Sequence, residues 1–347
     1  MTPATTDNFS AARFIKEIGR GKEGARNLSR ADAALLYAAM LARRVSDLEL
    51  GAILLAMRIK GESVEEIAGF MDAANACFTR LQAPAGAVMP VIIPSYNGAR
   101  KMANLTPLLA MLLAREGVPV LVHGVLQDAG RVTTAEIFMA LGWPLAGSVE
   151  AAQDTLARLA NPAPAFIAID VLAPQIAGLL ALRRVLGVRS STHTLVKILQ
   201  PFEGPALRLS SYTHPEYLTM LAAYFTTAAP AGRGDAFLMR GTEGETVANA
   251  RRAQQIDWFH EGVRTTLVEK QGVVDVVADM PTERDATTTA RWIERVLAGN
   301  HPVPPAIAEQ VARCAAIARR QLPAGMPGAS VVPAPAPMPP AGWAAGQ

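Results

Sequence analysis

Hydrophobic and polar positions along the chain follow two rhythms. Over residues 9–80 apolar side chains recur every three or four positions, as in "RADAALLYAAMLARRVS", "DLELGAILLAMRIKG" and "SVEEIAGFMDAANACF". This is the period of amphipathic helices. Ser29, Ser46 or Asp47, and Ser63 are suited to cap their starts; Ser63 with Glu66 spells a capping box, and Gly61 suits a stop. Residues 81–90, "LQAPAGAVMP", read as a linker from their Pro and Gly content. Beyond it, short β-branched runs alternate with helical patterns. "VMPVIIP" precedes a helix over 104–116, and "VPVLVHG" precedes "TTAEIFMALG". Strand-helix alternation of this kind predicts βαβ units and a parallel sheet. "AFIAIDV", "AFLMRG" and "GVVDVVAD" read as further strands. "SVEAAQDTLARLA", 174–187, 285–298 and 304–321 read as helices, the last opening at Pro304 or Pro305.

The predicted fold class is therefore α/β: a helical N-terminal domain and an α/β domain with a mostly parallel sheet flanked by helices. The boundaries are a helical domain over 1–80, completed by the helix at about 174–188, an α/β domain over 87–322, and a disordered Pro/Ala-rich tail over 323–347.

Composition narrows the class. Half of the 347 residues are hydrophobic and only 5% are aromatic, which suits a helix-rich globule. No apolar run reaches the ~18–20 residues of a membrane helix, and the N-terminus lacks an apolar signal core. Cys77 and Cys314 lie far apart without a CxxC pattern, so a reducing cytoplasm is expected and no metal site is indicated. The net charge of +3 does not by itself indicate nucleic acid. Of the 33 cationic residues only six are lysine (16, 22, 60, 101, 197 and 270), leaving 27 arginines. Arginine forks onto phosphate better than lysine, although a GC-rich genome produces the same bias.

Several stretches carry candidate chemistry. "PSYNGARK" (94–101) sits at a strand-to-helix turn with a glycine, small polar residues and two cations. Ser95, Asn97 and Gly98 are placed to meet a phosphate. Arg100 and Lys101 are expected at the start of the following helix, where an anion would be favoured. Tyr96 either stacks on a base or is a partly buried ring. Arg13, Lys16, Arg20, Lys22, Arg26 and Arg30 form a basic run interrupted by glycines, read either as a mobile phosphate-contacting arm or as a solvated face. Lys197 lies inside the apolar "TLVKILQP". A lone ammonium there is costly, so it should pair with a carboxylate or face an open groove. His193, four residues earlier, would share its face in a helix. Arg131, with Thr133 and Thr134, could hold a phosphate, or the threonines could simply cap a helix. His123 reads as a hydrogen-bonded core histidine, and "GTEGET" is too acidic for a phosphate loop. Arg208, Arg240, Arg251 and Arg252 are lesser candidates.

These motifs resemble the anthranilate phosphoribosyltransferase and nucleoside phosphorylase-like superfamily (glycosyltransferase family 3) over about residues 9–320. The family's Lys-His-Gly-Asn-Arg falls on Val122-His123-Gly124-Val125-Leu126, keeping His and Gly. Its Gly-Thr-Gly-Gly-Asp phosphate loop falls on Pro94-Ser95-Tyr96-Asn97-Gly98, and Asn104 matches the asparagine of the next helix. Arg189 and Pro201 are kept, while a Gly-Pro pair becomes Val196-Lys197. The magnesium-holding Asp-Glu pair falls on Thr246-Val247, with Glu243 and Glu245 nearby. Such erosion resembles the non-catalytic YbiB branch, whose members are homodimers binding nucleic acid through a basic groove. The resemblance thus implies a homodimer that binds DNA, with RNA left open, without cofactor. The alternative it implies is a magnesium-dependent phosphoribosyltransferase or nucleoside phosphorylase using phosphoribosyl pyrophosphate in the interdomain cleft.

Overall fold

A computed structural model describes residues 9–86, 88–158, 162–273 and 280–321. The chain opens with five helices: α1 (Ala12–Ile18), α2 (Gly21–Gly24), α3 (Arg30–Leu41), α4 (Asp47–Lys60) and α5 (Val64–Asn75). Ser29, Ser46 and Ser63 cap α3, α4 and α5, and both Ser46–Glu49 and Ser63–Glu66 close capping boxes. Gly61 ends α4 with φ +80°. Helices α3 and α5 pack closely because Gly69 faces the α3 backbone; a Cβ there would lie 2.2 Å from the Arg30 carbonyl oxygen.

The α/β part then runs β1 (Val91–Ser95), α6 (Thr106–Arg115), β2 (Val120–Gly124), α7 (Thr134–Ala140), α8 (Val149–Leu156) and β3 (Ala165–Ala168). Four short helices follow, α9 (Ile169–Leu172), α10 (Pro174–Ala181), α11 (Arg183–Leu186) and α12 (Thr192–Leu195). They return to the helical part: Ile176 and Leu179 join its apolar core, and the Tyr37 hydroxyl meets Thr192 Oγ1 at 3.0 Å. The expected single helix at 174–187 is thus broken at Leu182.

The chain continues through β4 (Leu207–Tyr212), α13 (Pro215–Thr227), β5 (Ala236–Arg240), β6 (Arg252–Ala253), β7 (Ile256–His260), β8 (Val263–Val268) and β9 (Gly272–Val273). Helices α14 (Ala286–Leu297) and α15 (Pro305–Ala318) finish it. The main sheet has the order β3-β2-β1-β4-β5-β7-β8, and β6 pairs with β9 in a small ribbon. Strands β1 to β5 pair in parallel, while β7 and β8 add an antiparallel hairpin. Alternate side chains enter different apolar layers. Ile92, Leu121 and Ile167 face the layer shared with the helical part; Val91, Ile93, Val122 and Phe166 face the other layer, with α6, α14 and α15.

Strand order reverses between β1 and β4. The chain steps outward from β1 to β3, then resumes on the other side of β1. Open parallel sheets bind ligands at the carboxyl ends of strands flanking such a reversal. This places the loops after β1, β4 and β5 together.

Other elements also differ from the sequence reading. The helix expected over 104–116 begins at Thr106, so Arg100 and Lys101 lie ahead of it in an irregular bend. Strands β4, β6, β7 and β8 are additional to those the sequence pattern predicts. Of the strand expected over 272–279, Gly272 and Val273 form β9 and the rest lies outside the described residues, as does the tail from 322. No helix among the described residues is long and apolar enough to cross a membrane.

Candidate nucleic-acid interface

The loop after β1 is drawn against the next strand. Gly124 is opposite Ser95 in the β1–β2 pairing, and a Cβ there would lie 1.9 Å from the Ser95 carbonyl oxygen. This close approach explains the glycine of the His-Gly pair. Ser95 is buried and donates to Thr134 Oγ1 at 2.8 Å, to which Asn104 Nδ2 also donates at 2.9 Å. Tyr96 is buried rather than free to stack on a base; its hydroxyl meets His123 Nδ1 at 2.6 Å. Burial pushes His123 down to about 3, so it stays neutral, a core histidine as expected.

The backbone N–H groups of the loop converge, as a phosphate cradle requires, but carboxylates of the turn after β5 occupy them. Asn97 and Gly98 donate to Glu245 Oε1 at 2.8 and 2.6 Å. Arg100 donates to Glu243 Oε2 at 2.6 Å, and Lys101 donates to Glu243 Oε1 and Oε2 at 3.0 and 2.9 Å. Asn97 Nδ2 donates to the Gly244 carbonyl at 2.7 Å, and its Oδ1 accepts from Arg189 Nη2 at 2.6 Å. The backbone N–H groups of Asn97 and Gly98 and the Ser95 hydroxyl are therefore engaged within the protein, whereas the side chains of Arg100 and Lys101 are exposed. Arg131 Nη1 donates to the carbonyls of Gly98 and Glu243 at 3.2 and 3.4 Å, and Thr133 caps α7 in a capping box with Glu136.

Beside this loop a cavity of about 120 Å³ separates α4 from the α12 segment and the end of β4. Arg58, Arg189, His193, Lys197, His214 and Tyr217 line it, and Glu62 is its only lining carboxylate among the described residues. Lys197 and His193 share this cleft, as the sequence spacing implied. Lys197 has the Gly244 carbonyl as its hydrogen-bond acceptor, at 3.3 Å. Among the described residues, Arg58, Arg131, Arg189 and Lys197 make no ion pair within 4 Å. Desolvation pushes Lys197 down to about 8; Glu245 opposes the shift, and Arg189 and Arg131 add to it. Burial with the neighbouring Arg189 and Arg183 pushes His193 down to about 4. Arg58 and Tyr217 went unnoticed in the sequence; the one available signal was the pair of cations, Arg58 and Lys60, in the last turn of the otherwise apolar "AILLAMRIK".

The basic run is mostly paired. Arg13 meets Asp32 at 3.2 Å, Arg30 meets Asp72 at 2.7 Å, and Glu17 receives Arg20 at 3.0 Å and Arg26 at 3.8 Å. The segment is not a loop throughout, since α1 and α2 occupy much of it, and Lys22 lies within α2. Arg208 is buried under the Phe225 ring, 5.4 Å from its centroid, and cannot meet a nucleic-acid backbone from there. It borders a larger cavity of about 410 Å³ at the opposite ends of β4 and β5, which shares no residue with the cleft.

Magnesium does not fit the position of the family's Asp-Glu pair. Thr246 and Val247 are buried there and supply one hydroxyl, while a hard divalent cation needs several oxygen ligands. Among the described residues no three His, Cys, Asp or Glu side chains cluster to hold a metal.

A titration follows from Lys197. The fold disfavours its ammonium, so the unfolded chain binds more protons between pH 8 and its ordinary 10.5, and stability rises with pH in that window. Affinity for a polyanion should behave oppositely. It is expected to be level up to about pH 7.5 and to decline as pH rises beyond 8, because the cation is lost. Lys197→Arg should flatten that decline. Anisotropy titrations across this range test this; an identical decline in Lys197→Arg would rule out Lys197 as its source.

A helical domain set against a mostly parallel sheet, with its cleft at the strand-order reversal, is the phosphoribosyltransferase scaffold. Residues 12–76 match the helical bundle domain of the glycosyl transferase family. The chain is 48% identical over 304 residues to the YbiB protein of Escherichia coli K12, covering 87% of this chain and 92% of that protein. It belongs to the YbiB family. It is also 34% identical over 182 residues to the anthranilate phosphoribosyltransferase of Methylobacterium radiotolerans, covering 52% of this chain and 49% of that enzyme. The crystal structure of anthranilate phosphoribosyltransferase from Thermus thermophilus shares the fold, with a TM-score of 0.69 at 21% identity, covering 89% of this chain and 90% of that one. The Saccharomyces cerevisiae enzyme in complex with PRPP and Mg gives 0.65 at 14% identity, covering 92% and 90%.

Proposed function

We propose that this protein binds nucleic acid, DNA foremost, largely irrespective of sequence and without cofactor, and that it is not a phosphoribosyltransferase. The observation that carries this reading is the charge pattern around the cleft. Four cations, Arg58, Arg131, Arg189 and Lys197, are gathered without ion-pair partners among the described residues, beside the exposed Arg100 and Lys101. Clustered cations without a direct ion pair repel one another, and a polyanion meeting them relieves that cost. A pyrophosphate, by contrast, would find the N–H groups of its loop already bonded to Glu243 and Glu245. The PRPP and Mg of the yeast relative would thus meet an occupied cradle, with Thr246-Val247 at the position of the family's Asp-Glu pair. The segment carrying Arg20, Lys22 and Arg26 extends the basic surface in this reading. Binding should fall with salt, and Lys197→Ala or Arg189→Ala should weaken it equally for unrelated sequences. Absence of binding at low salt to duplex and single-stranded DNA and to RNA would overturn the proposal.

Homodimerisation is part of the same reading. Leu48, Leu55 and Ile59 of α4 are 85%, 48% and 57% exposed, at a spacing that puts them on one helix face. A second copy would cover this stripe. Leu55→Glu with Ile59→Glu is expected to yield monomers in sedimentation equilibrium while the wild type sediments as a dimer; a dimeric variant would move the interface elsewhere.

A further inference from the structure

We infer that Glu243 and Glu245 are internal phosphate surrogates: their carboxylates fill the anion seat of the loop after β1 and set its specificity against free phosphate and pyrophosphate. Converging backbone N–H groups beside a left-handed glycine are a general way of seating a phosphate. Gly98 has φ +65°, and its N–H and that of Asn97 point at one oxygen of Glu245. The N–H groups of Arg100 and Lys101 point at Glu243. All four donors thus address carboxylates from one four-residue turn.

That turn is shaped and clamped for the task. Glu243 sits at φ +54° and Gly244 at φ +98°, and Thr242 and Glu245 exchange two backbone hydrogen bonds of 3.0 Å. A non-glycine residue in the left-handed region is uncommon and needs its surroundings to hold it there. The clamp consists of Asn97 Nδ2, Ser211 Oγ and Lys197 Nζ on the Gly244 carbonyl, at 2.7, 3.0 and 3.3 Å, and Arg131 on the Glu243 carbonyl. The fit is incomplete in an informative way. Glu245 Oε2 is buried with no hydrogen-bond partner. Both loop N–H groups fall on Oε1, so the carboxylate is held through one oxygen only and matches the seat imperfectly.

Two consequences follow. An incoming phosphate would have to expel both carboxylates or lie against them as a like charge. With both removed, the four N–H groups would be free, and Arg131, Arg189 and Lys197 would stand around the emptied seat. The chain would then gain a site for a small polyphosphate, whether or not it binds nucleic acid.

The test is calorimetric titration of the full chain with inorganic pyrophosphate and, separately, inorganic phosphate, without metal. Glu243→Ala/Glu245→Ala is expected to bind pyrophosphate at least about tenfold more tightly than wild type, and Arg131→Ala in that background should reverse the gain. Glu243→Ala alone, at a half-buried position, should give a smaller gain and serves if the double variant misfolds. If the folded variants bind pyrophosphate no better than wild type, the surrogate role is wrong. Wild type binding pyrophosphate as tightly as the variants would equally overturn it.

Discussion

Glu66→Ala is expected to lower the unfolding free energy of the helical part by about 3–5 kcal/mol, the range for removing one member of a buried ion pair. Glu66 is fully buried and its partner Lys60 is 6% exposed. Its Oε1 accepts from the Leu28 N–H at 2.9 Å; its Oε2 accepts from Lys60 Nζ at 2.6 Å and from the Ser63 N–H at 2.8 Å. Lys60 Nζ also donates to Asn27 Oδ1 at 2.9 Å and the Gly61 carbonyl at 2.7 Å. One carboxylate thus joins the end of the basic segment, the end of α4 and the start of α5. Alanine would strand an ammonium and leave two N–H groups without this acceptor. Urea unfolding should show a lower midpoint with an unchanged slope. Glu66→Leu with Lys60→Met should recover most of the loss, since paired apolar replacements remove both charges together. A loss below about 1 kcal/mol for Glu66→Ala would mean that Lys60 finds water or another acceptor.

Lys197→Ala combined with Arg189→Ala is expected to weaken nucleic-acid binding on the order of a hundredfold. Hydrogen bonds to charged groups contribute about 1.5–3 kcal/mol each, so two lost contacts cost about 3 kcal/mol or more. The single Lys197→Ala change should cost about tenfold by the same reasoning. Arg189 is anchored through Asn97 and Lys197 through Gly244, so both cations are held by the acidic turn and the loop it closes. Because phosphate contacts carry no base information, the loss should be the same for unrelated sequences. A loss confined to one sequence would indicate base readout.

Much of the scaffold was legible because its signals are local. The Ser29, Ser46 and Ser63 caps, the Gly61 stop and the β-branched runs of β1 and β2 each depend on neighbours a few residues away. Lys197 announced the cleft because an ammonium in an apolar run needs an outlet. Strand β4 escaped notice because Arg208 and Ser210 interrupt its apolar side chains; Arg208 is accommodated by the Phe225 ring of α13. The β7–β8 hairpin turns on Glu261-Gly262, with φ +48° and +78°, as a two-residue turn with both residues left-handed requires. Its glutamate replaces the Asn or Asp that normally signals such turns. The acidic turn was least legible. Glu243 and Glu245 meet a loop more than 140 positions earlier, and no spacing rule reaches that far. Read alone, "GTEGET" looked merely unfit for phosphate; in the fold it takes the place of phosphate.

The measurement that tests the central claim most directly is the dependence of DNA affinity on salt, for two duplexes of unrelated sequence. For wild type, log Kobs should fall linearly with log salt, by about 0.9 for each phosphate engaged, and equally for both duplexes. In Lys197→Ala/Arg189→Ala the slope should be shallower by nearly 2. A slope near zero in wild type, or an unchanged slope in the double variant, would contradict the assignment of this cleft to a phosphate backbone.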